Sequence, residues 1–350
     1  MKTITVNASK QYDVIIGTDL HKQLGKYAAS LVKVGKAAVI SDSNVWPLYG
    51  SVITKSLTDA GFDTCHYVFP AGEASKNGNT YLAILNFLAQ NHLTRADVVI
   101  ALGGGVVGDI TGFAAATYLR GIAYIQIPTT LLSMVDSSVG GKTAIDLDSG
   151  KNLAGAFCQP SLVLCDIDSL SSLPVDIFRD GCAEVIKYGV LYDGELFDHL
   201  MEYGLAFDRE TVVSCCVALK RDVVAEDEFD HGARQKLNLG HTIGHSVEAM
   251  SNFNITHGQA VAIGMTIVAK AGHAIGSCSS ITRDRIIQAI ERFGLPTQTQ
   301  YSAEDLYDKA LSDKKVAGGS VNLIVPQYIG NCAILPTPIN ELLDFIKAGL

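Results

Sequence analysis

Three histidines, one glutamate and a glycine-rich turn are the groups in this 350-residue sequence whose types and spacing suit chemistry. LNLGHTIGHSVEAM sets His241 and His245 one helical turn apart, and ITHGQAVAIGM places His257 at a helix start. The H-x-x-x-H spacing resembles that of zinc proteases, but Thr242 stands where the hydrolytic glutamate would be. Glu184, in GCAEVIKYG, is an acid within a mostly apolar helix and must find a partner or a metal. Two histidines and a glutamate form a recurrent catalytic zinc set that leaves one position open for a substrate oxygen. Spacing leaves open which two of the three histidines bind, and a hydrogen-bonded structural histidine is the plain alternative for each.

The second constellation runs from residue 97 to 152. A short apolar strand, 98–102, is followed by Gly103, Gly105 and Gly108 in G-x-G-x-x-G spacing, and by a helix over 109–118. Glycines let a diphosphate approach the backbone, and the helix start offers N–H groups carrying about half a positive charge. A tight turn with no ligand is the competing reading. Beyond it come a strand over 122–127, Thr129 and Thr130 after Pro128, Asp136 with two serines, and the cations Lys142 and Lys151. So many small polar groups near strand ends suit a cleft better than a core. Asp42, at the end of KAAVIS, either accepts hydrogen bonds from a ribose or caps the helix after it. Glu73 and Lys76 in FPAGEASK either pair with each other at the surface or line the same cleft. Lys187, Lys220, Arg234, Asn238 and Lys314 are spread across the second half; singly, each reads as a solvated helix face.

The elements that must carry these groups follow from hydrophobic periodicity. Strand-like alternation over 2–16, helix 19–31, strand 36–41, helix 50–60, strand 62–69 and helix 76–91 precede the glycine turn, and strand 161–166 follows it. The turn thus arrives late for an ordinary dinucleotide fold, whose glycines sit in the first strand-to-helix connection. From Pro174 the pattern changes to long helical periods: 176–188, 194–204, 208–228, 236–250, 257–275, 281–293, 303–311 and 338–348, with one hairpin at VNLIVPQYIGNCAIL. The expected architecture is an α/β N-terminal nucleotide-binding domain, 1–173, and a mainly α-helical C-terminal metal-binding domain, 174–350.

Composition limits the partners. With 48% hydrophobic and 18% charged residues the chain reads as soluble and globular. A net charge of −9 and the lack of any Lys/Arg run longer than two argue against nucleic acid. An anionic ligand then requires the few cations to gather in one place. The eight cysteines form no C-x-x-C and mostly sit in apolar stretches, as reduced core thiols of a cytoplasmic protein would. MKTITVNASKQYDVIIG has no apolar signal core, and the longest stretch without a charged residue, 249–269, holds Asn, His, Gln and Ser/Thr, so no membrane association is expected.

Taken in order, SDSNV, GGGVVGD, IPTTLLSMVDSSVGGKTAID, KNLAGAF, AEVIKYG, LNLGHTIGH, THGQAVAIGM and DKKV closely resemble the 3-dehydroquinate synthase family. That family belongs to the sugar-phosphate cyclase superfamily, which shares a fold with metal-dependent polyol dehydrogenases. The resemblance implies an NAD-binding α/β domain, a helical metal domain and a cleft between them. It assigns zinc, or cobalt in its place, to Glu184, His241 and His257, and leaves His245 as a catalytic polar residue. NAD contacts fall on Asp42, Glu73, Lys76, Gly105, Val106, Val107, Gly108, Asp109, Thr129, Thr130, Lys142, Lys151 and the stretch containing Ser169 and Ser172. The catalytic and substrate-binding set is Asp136, Lys142, Asn152, Lys187, Lys220, Arg234, Asn238, His245 and Lys314, with Arg120 reaching in from the second subunit of a homodimer. Two departures stand out: Ala71 where many relatives carry an acid, and Asp230 where some have Glu.

The implied reaction turns 3-deoxy-D-arabino-heptulosonate 7-phosphate into 3-dehydroquinate and phosphate, through transient oxidation, elimination, re-reduction, ring opening and aldol closure. A polyol dehydrogenase of the same fold would use NAD and metal equally well but has no need of the cation set. A sister cyclase would act on another sugar phosphate. A non-catalytic NAD sensor would leave the metal donors and the cations without a purpose.

Overall fold

The computed structural model describes residues 1–252, 254–312 and 319–350. In chain order its strands are β1 (Lys2–Val6), β2 (Tyr12–Gly17), β3 (Lys36–Asp42), β4 (Asp63–Phe69), β5 (Val98–Gly103), β6 (Ala123–Pro128), β7 (Lys142–Leu147), β8 (Gly150–Phe157), β9 (Leu162–Asp166), β10 (Ser320–Tyr328) and β11 (Asn331–Pro338). The helices are α1 (Leu24–Leu31), α2 (Trp46–Asp59), α3 (Gly78–Gln90), α4 (Gly105–Thr117), α5 (Val175–Tyr192), α6 (Gly194–Tyr203), α7 (Arg209–Glu226), α8 (His241–Met250), α9 (His257–Ala274), α10 (Ser280–Arg292), α11 (Ala303–Ser312) and α12 (Ile339–Gly349). The chain divides into two compact units, Met1–Pro174 with Arg209–Phe229, and Val175–Asp208 with Asp230–Leu350.

The first unit is built on a seven-stranded sheet in the order β1-β2-β9-β6-β5-β3-β4. Only β1 runs antiparallel to its neighbour. Helices cover both faces. Leu24 and Ala28 of α1 and Ile53 and Leu57 of α2 pack on Val39, Val98, Ile100 and Ile125. Ile84 and Leu88 of α3 and Val107, Ile110 and Ala114 of α4 pack on Ala38, Ile40, Val99 and Tyr124. Burial on both faces is why KAAVIS and VVIALG are continuously apolar rather than alternating, and each such Leu or Ile contributes about 1.5–3 kcal/mol. The chain leaves β3 for β4 on one side and returns to place β5 on the other, so the sheet changes winding direction between β3 and β5. In open α/β sheets ligands bind at the carboxyl ends of strands flanking such a point. Here it sets Asp42 beside the glycine turn, since Ser41 pairs with Leu102 and donates its Oγ hydrogen to the Leu102 carbonyl at 2.8 Å.

Two features of this unit depart from the linear reading. Residues 142–157 form an antiparallel hairpin, β7–β8, not anticipated among the strands. More consequentially, α7 lies in sequence beyond Pro174 yet belongs to the first unit. Glu228, just past its end, accepts hydrogen bonds from Ser9 N (2.7 Å), Ser9 Oγ (2.6 Å) and Gln159 Nε2 (2.9 Å), and the amino terminus pairs with Glu210 at 2.9 Å. A single division at Pro174 therefore misassigns this helix and with it Lys220.

Among the described residues, the second unit is helical apart from the β10–β11 hairpin. Its centre is α9, with thirteen buried residues among its eighteen, packed by α5, α8, α10 and α12. That surroundings-on-all-sides position explains why the 257–269 part of the long uncharged stretch carries no charge: it lies in an interior helix. No described helix is long and apolar enough to cross a membrane. All eight cysteines are free.

Candidate metal centre and nucleotide-binding turn

In the second unit, three helices bring the metal donors together. Glu184 and Lys187 lie one turn apart on α5 and are both essentially unexposed, paired through Glu184 Oε2 and Lys187 Nζ. His241 opens α8 and His257 opens α9. The helices can meet this closely because glycines stand at their contacts, against Gly240 in one case and the Asp180 backbone in the other. A Cβ on Gly264 would stand 1.9 Å from the Gly240 carbonyl oxygen, and one on Gly258 would stand 2.0 Å from the Asp180 oxygen. Asp180, one turn before Glu184, also anchors the start of α9: its Oδ1 accepts from the Thr256 hydroxyl and from Gln259 N at 3.1 Å. A carboxylate at a helix N-terminus stabilises it through the unsatisfied amides there, and this one holds His257 in register with Glu184.

His241 Nε2 lies 3.5 Å and His257 Nε2 3.4 Å from Glu184 Oε1, and the three donor atoms all fall within 4.8 Å of one another. A tetrahedral ion with bonds of ~2.0–2.1 Å holds its donors roughly 3.3–3.4 Å apart, so the nearest spacings fit a single divalent cation. His241 Nδ1 sits 3.0 Å from the Leu239 carbonyl; a carbonyl only accepts, so Nδ1 carries the hydrogen and Nε2 the lone pair. Burial, reinforced by the Lys187 charge and opposed by Glu184, holds this ring well below the usual histidine range, neutral as a ligand must be. His257 is the opposite case. Burial works against its charge, but Glu184 on one side and Glu248 on the other, its Oε2 3.5 Å from Nδ1, raise its pKa to about 10. A cation taking Nε2 takes that proton's place. His245 joins the cluster, its ring centroid 5.4 Å from that of His241 and 6.0 Å from that of His257.

In the first unit, α4 begins directly after β5 with no side chain capping its start, so the amides of Gly105, Val106 and Val107 point outward as an anion site would require. The helix starts at Gly105, four residues earlier than periodicity suggests, because Gly108 N already bonds the Gly104 carbonyl at 3.0 Å. Asp109 is paired with buried Lys76 at 2.6 Å, and Lys76 also donates to Asn152 Oδ1 at 2.5 Å. Burial raises the Asp109 carboxyl against the pull of Lys76. Glu73 pairs with Lys151 at 3.2 Å. Glu73 and Lys76 are therefore not paired with each other at the surface; each holds a different residue of the 97–152 stretch. Lys220 of α7 donates to the Asp136 carbonyl and, at 2.8 Å, to its carboxylate. Among the described residues, the Thr129 and Ser169 hydroxyls are buried without a protein partner, as groups kept for a ligand would be. Asp42 Oδ1 accepts from Asn44 N at 2.8 Å and Val45 N at 3.0 Å, so it shapes the turn into α2. Thr130 is tied to Ser133, and Ser172 to Tyr49 and the Ser169 carbonyl.

Lys142 is exposed at the start of β7, and Arg120 is exposed at a turn with φ of 65°. Arg234 is buried and Asn238 half-buried in the helical turn Ala233–Asn238 that leads into α8. Lys314 lies outside the described residues. Sequence reasoning missed Glu248, Asp180 and Tyr49. For Glu248 a signal existed: His241, His245 and Glu248 are spaced i, i+4, i+7, which lines one helix face.

Comparison with known proteins agrees with this architecture. Residues 66–180 match the 3-dehydroquinate synthase N-terminal family and residues 181–316 the 3-dehydroquinate synthase C-terminal family. The 3-dehydroquinate synthase of Streptococcus suis is 41% identical over 352 residues, covering 98% of this chain and 99% of the relative. Among solved structures, a 2-deoxy-scyllo-inosose synthase superposes with a TM-score of 0.90 at 24% identity, covering all of both chains. The 2-epi-5-epi-valiolone synthase ValA of Streptomyces hygroscopicus, with NAD+ and Zn2+ bound, superposes with a TM-score of 0.89 at 26% identity over 98% of each chain. With matched families together spanning most of its length and such identity end to end, the chain is an enzyme that belongs to the 3-dehydroquinate synthase family.

Proposed function

We propose that this chain converts 3-deoxy-D-arabino-heptulosonate 7-phosphate into 3-dehydroquinate and phosphate, with NAD and a divalent cation, zinc or cobalt, as its resident cofactors. The observation that carries the reading is the donor set of Glu184, His241 and His257, whose spacings suit one ion. When bound, NAD takes up and returns one hydride while the cation polarises the hydroxyl being oxidised. The reaction is redox-neutral overall.

The rest is the work of side chains. Glu184, His241 and His257 hold the cation, and Lys187 offsets the charge of Glu184. The α4 start from Gly105 to Asp109, with Asp42, Glu73, Lys76, Thr129, Thr130, Lys142, Lys151, Ser169 and Ser172, binds and orients NAD. Lys142, Arg234 and Lys314 neutralise the carboxylate and the departing phosphate, and the Asn152 and Asn238 amides donate hydrogen bonds to them. Lys220, steadied by Asp136, adds a further cation, and His245 moves a proton at a substrate oxygen. Arg120 at its exposed turn suits donation to a second copy in a homodimer, and a cytoplasmic location suits the free thiols.

The test is phosphate release from the heptulosonate, with and without a chelator, while following absorbance of reduced nicotinamide. Phosphate should appear with no net NADH and stop on chelation. Stoichiometric NADH without phosphate would make the chain a dehydrogenase, and phosphate release only from a different sugar phosphate would make it a sister cyclase.

A further inference from the structure

We propose that Glu248 is a positioning residue for His257: its carboxylate holds the ring by Nδ1 and aims the Nε2 lone pair at the cation. The inference rests on reading Glu184, His241 and His257 as the metal ligands. An imidazole can bind a cation through one nitrogen only if the other carries the hydrogen, and a partner for that hydrogen fixes both tautomer and ring angle. For His241 the partner is the Leu239 carbonyl, two residues away. His257 is the first residue of its helix, and the group facing its Nδ1 comes from another element: Glu248 Oε2 on α8, at 3.5 Å.

Burial strengthens the assignment. Glu248 is 5% exposed and Glu184 is fully buried, and the His257 ring lies between them. Burying two carboxylates is costly unless positive charge separates them. Lys187 supplies that charge at Glu184, and the His257 ring places its Nδ1 edge toward Glu248. The placement on α8 is also economical in geometry, because Glu248 lies two turns after His241 on the same face. Thus α8 supplies one ligand and the support of the other.

A second donor trio, His245, Glu248 and His257, also has its atoms within 4.8 Å. It would make Glu248 a ligand itself, and a neutral imidazole has only one lone pair to give, so His257 cannot serve both trios at once. The two trios therefore make opposite predictions for Glu248, as support or as ligand.

Zinc affinity of the full chain, measured by chelator competition, separates them, with cobalt absorption spectra and metal-free thermal unfolding recorded on the same proteins. The variants are Glu184→Gln, Glu248→Ala and Glu248→Gln. We expect Glu248→Ala to weaken zinc by about 10–100-fold and to shift the cobalt bands. Glu248→Gln keeps an oxygen able to accept from Nδ1 and should fall between it and the parent chain. Glu184→Gln should lose zinc more completely than either. If both Glu248 variants bind zinc within twofold of the parent and keep its cobalt spectrum while Glu184→Gln has lost the metal, the positioning role is refuted. If Glu248→Ala loses zinc as completely as Glu184→Gln, Glu248 is itself a ligand and the proposal is equally overturned. Should Glu184→Gln keep the parent's affinity, the metal-site reading fails first, a result distinct from either. If unfolding shows that Glu248→Ala does not fold, the isosteric Glu248→Gln decides by the same criteria.

Discussion

Replacing Gly264 by alanine tests whether backbone contact between α8 and α9 builds the metal centre. The new Cβ would stand 1.9 Å from the Gly240 oxygen, 2.8 Å from its carbon and 3.0 Å from Gly244 N. All three are backbone atoms, so no side chain can rotate away. Restoring ordinary contact, 3.4 Å or more, moves the start of α8 by about 1.5 Å relative to α9. His241 is the next residue after Gly240 and moves with it. A metal site tolerates donor displacements of only about 0.2 Å, so the shift takes one of three ligands out of range and zinc affinity should fall by at least about 100-fold. Overpacking of this kind costs ~1–3 kcal/mol, and the better helix propensity of alanine returns at most ~1 kcal/mol. Chelator competition reads the affinity, and a lower unfolding temperature of the metal-free chain reads the strain. NAD affinity should be unchanged, because the residues proposed to bind NAD lie in the first unit. Zinc affinity within twofold of the parent, with no fall in unfolding temperature, would refute the claim that these glycines set the distance between His241 and His257.

Lys187→Met removes the cation beside a fully buried Glu184. Breaking a buried pair from one side costs about 3–5 kcal/mol, so the metal-free chain should unfold at markedly lower denaturant, whereas saturating zinc should recover much of the difference. An equal loss with and without zinc would show that Lys187 does not offset the Glu184 charge. Glu228→Ala removes the acceptor for Ser9 N, Ser9 Oγ and Gln159 Nε2; it should destabilise the first unit by about 2 kcal/mol while leaving zinc affinity intact, and a loss of zinc instead would contradict the grouping of α7 with that unit. Asp97 accepts from Lys36 N (2.7 Å), Thr94 N (2.7 Å) and Thr94 Oγ1 (2.8 Å). Burial alone would raise its pKa, but these bonds outweigh it and hold the carboxyl below its usual 3.8. A depressed folded-state pKa adds stability above the unfolded value, and that stability is lost as pH falls through the folded one. Asp97→Asn should therefore lower the urea midpoint at pH 7, with the gap to the parent closing as pH falls below about 4; a gap independent of pH would exclude the charge as its source.

Local chemistry made much of the molecule legible before any coordinates. KAAVIS and VVIALG are too short and too apolar to be anything but strands covered on both faces, and the eight helical periods after Pro174 coincide within a few residues with α5 to α12. Periodicity puts the start of α4 late because glycines look like turn rather than helix, although here they form the first helical turn. The hairpin β7–β8 was missed because its residues, GKNLAGAF above all, lack the β-branched alternation of an ordinary strand. The spacing of Glu248 to His241 and His245 marks a shared helix face, but an acid on an amphipathic helix is usually solvated, so spacing alone does not single it out.

What the sequence by itself determined was the inventory: which segments are helix or strand, that three histidines and a buried acid stand ready for a cation, and that a glycine turn follows an apolar strand. Spacing along one helix could not choose among His241, His245 and His257, since choosing depends on distances between α5, α8 and α9, which only packing sets. The tertiary structure decided that Glu184 meets His241 and His257 through Nε2, because glycine-on-glycine contacts and the Asp180 anchor bring the three helix positions together. It likewise returned α7, and Lys220 with it, to the first unit through bonds from Glu228 to residues about 70 and more than 200 positions away. Periodicity reports the face a helix buries; it carries no information on which partner, however distant in the chain, that face is buried against.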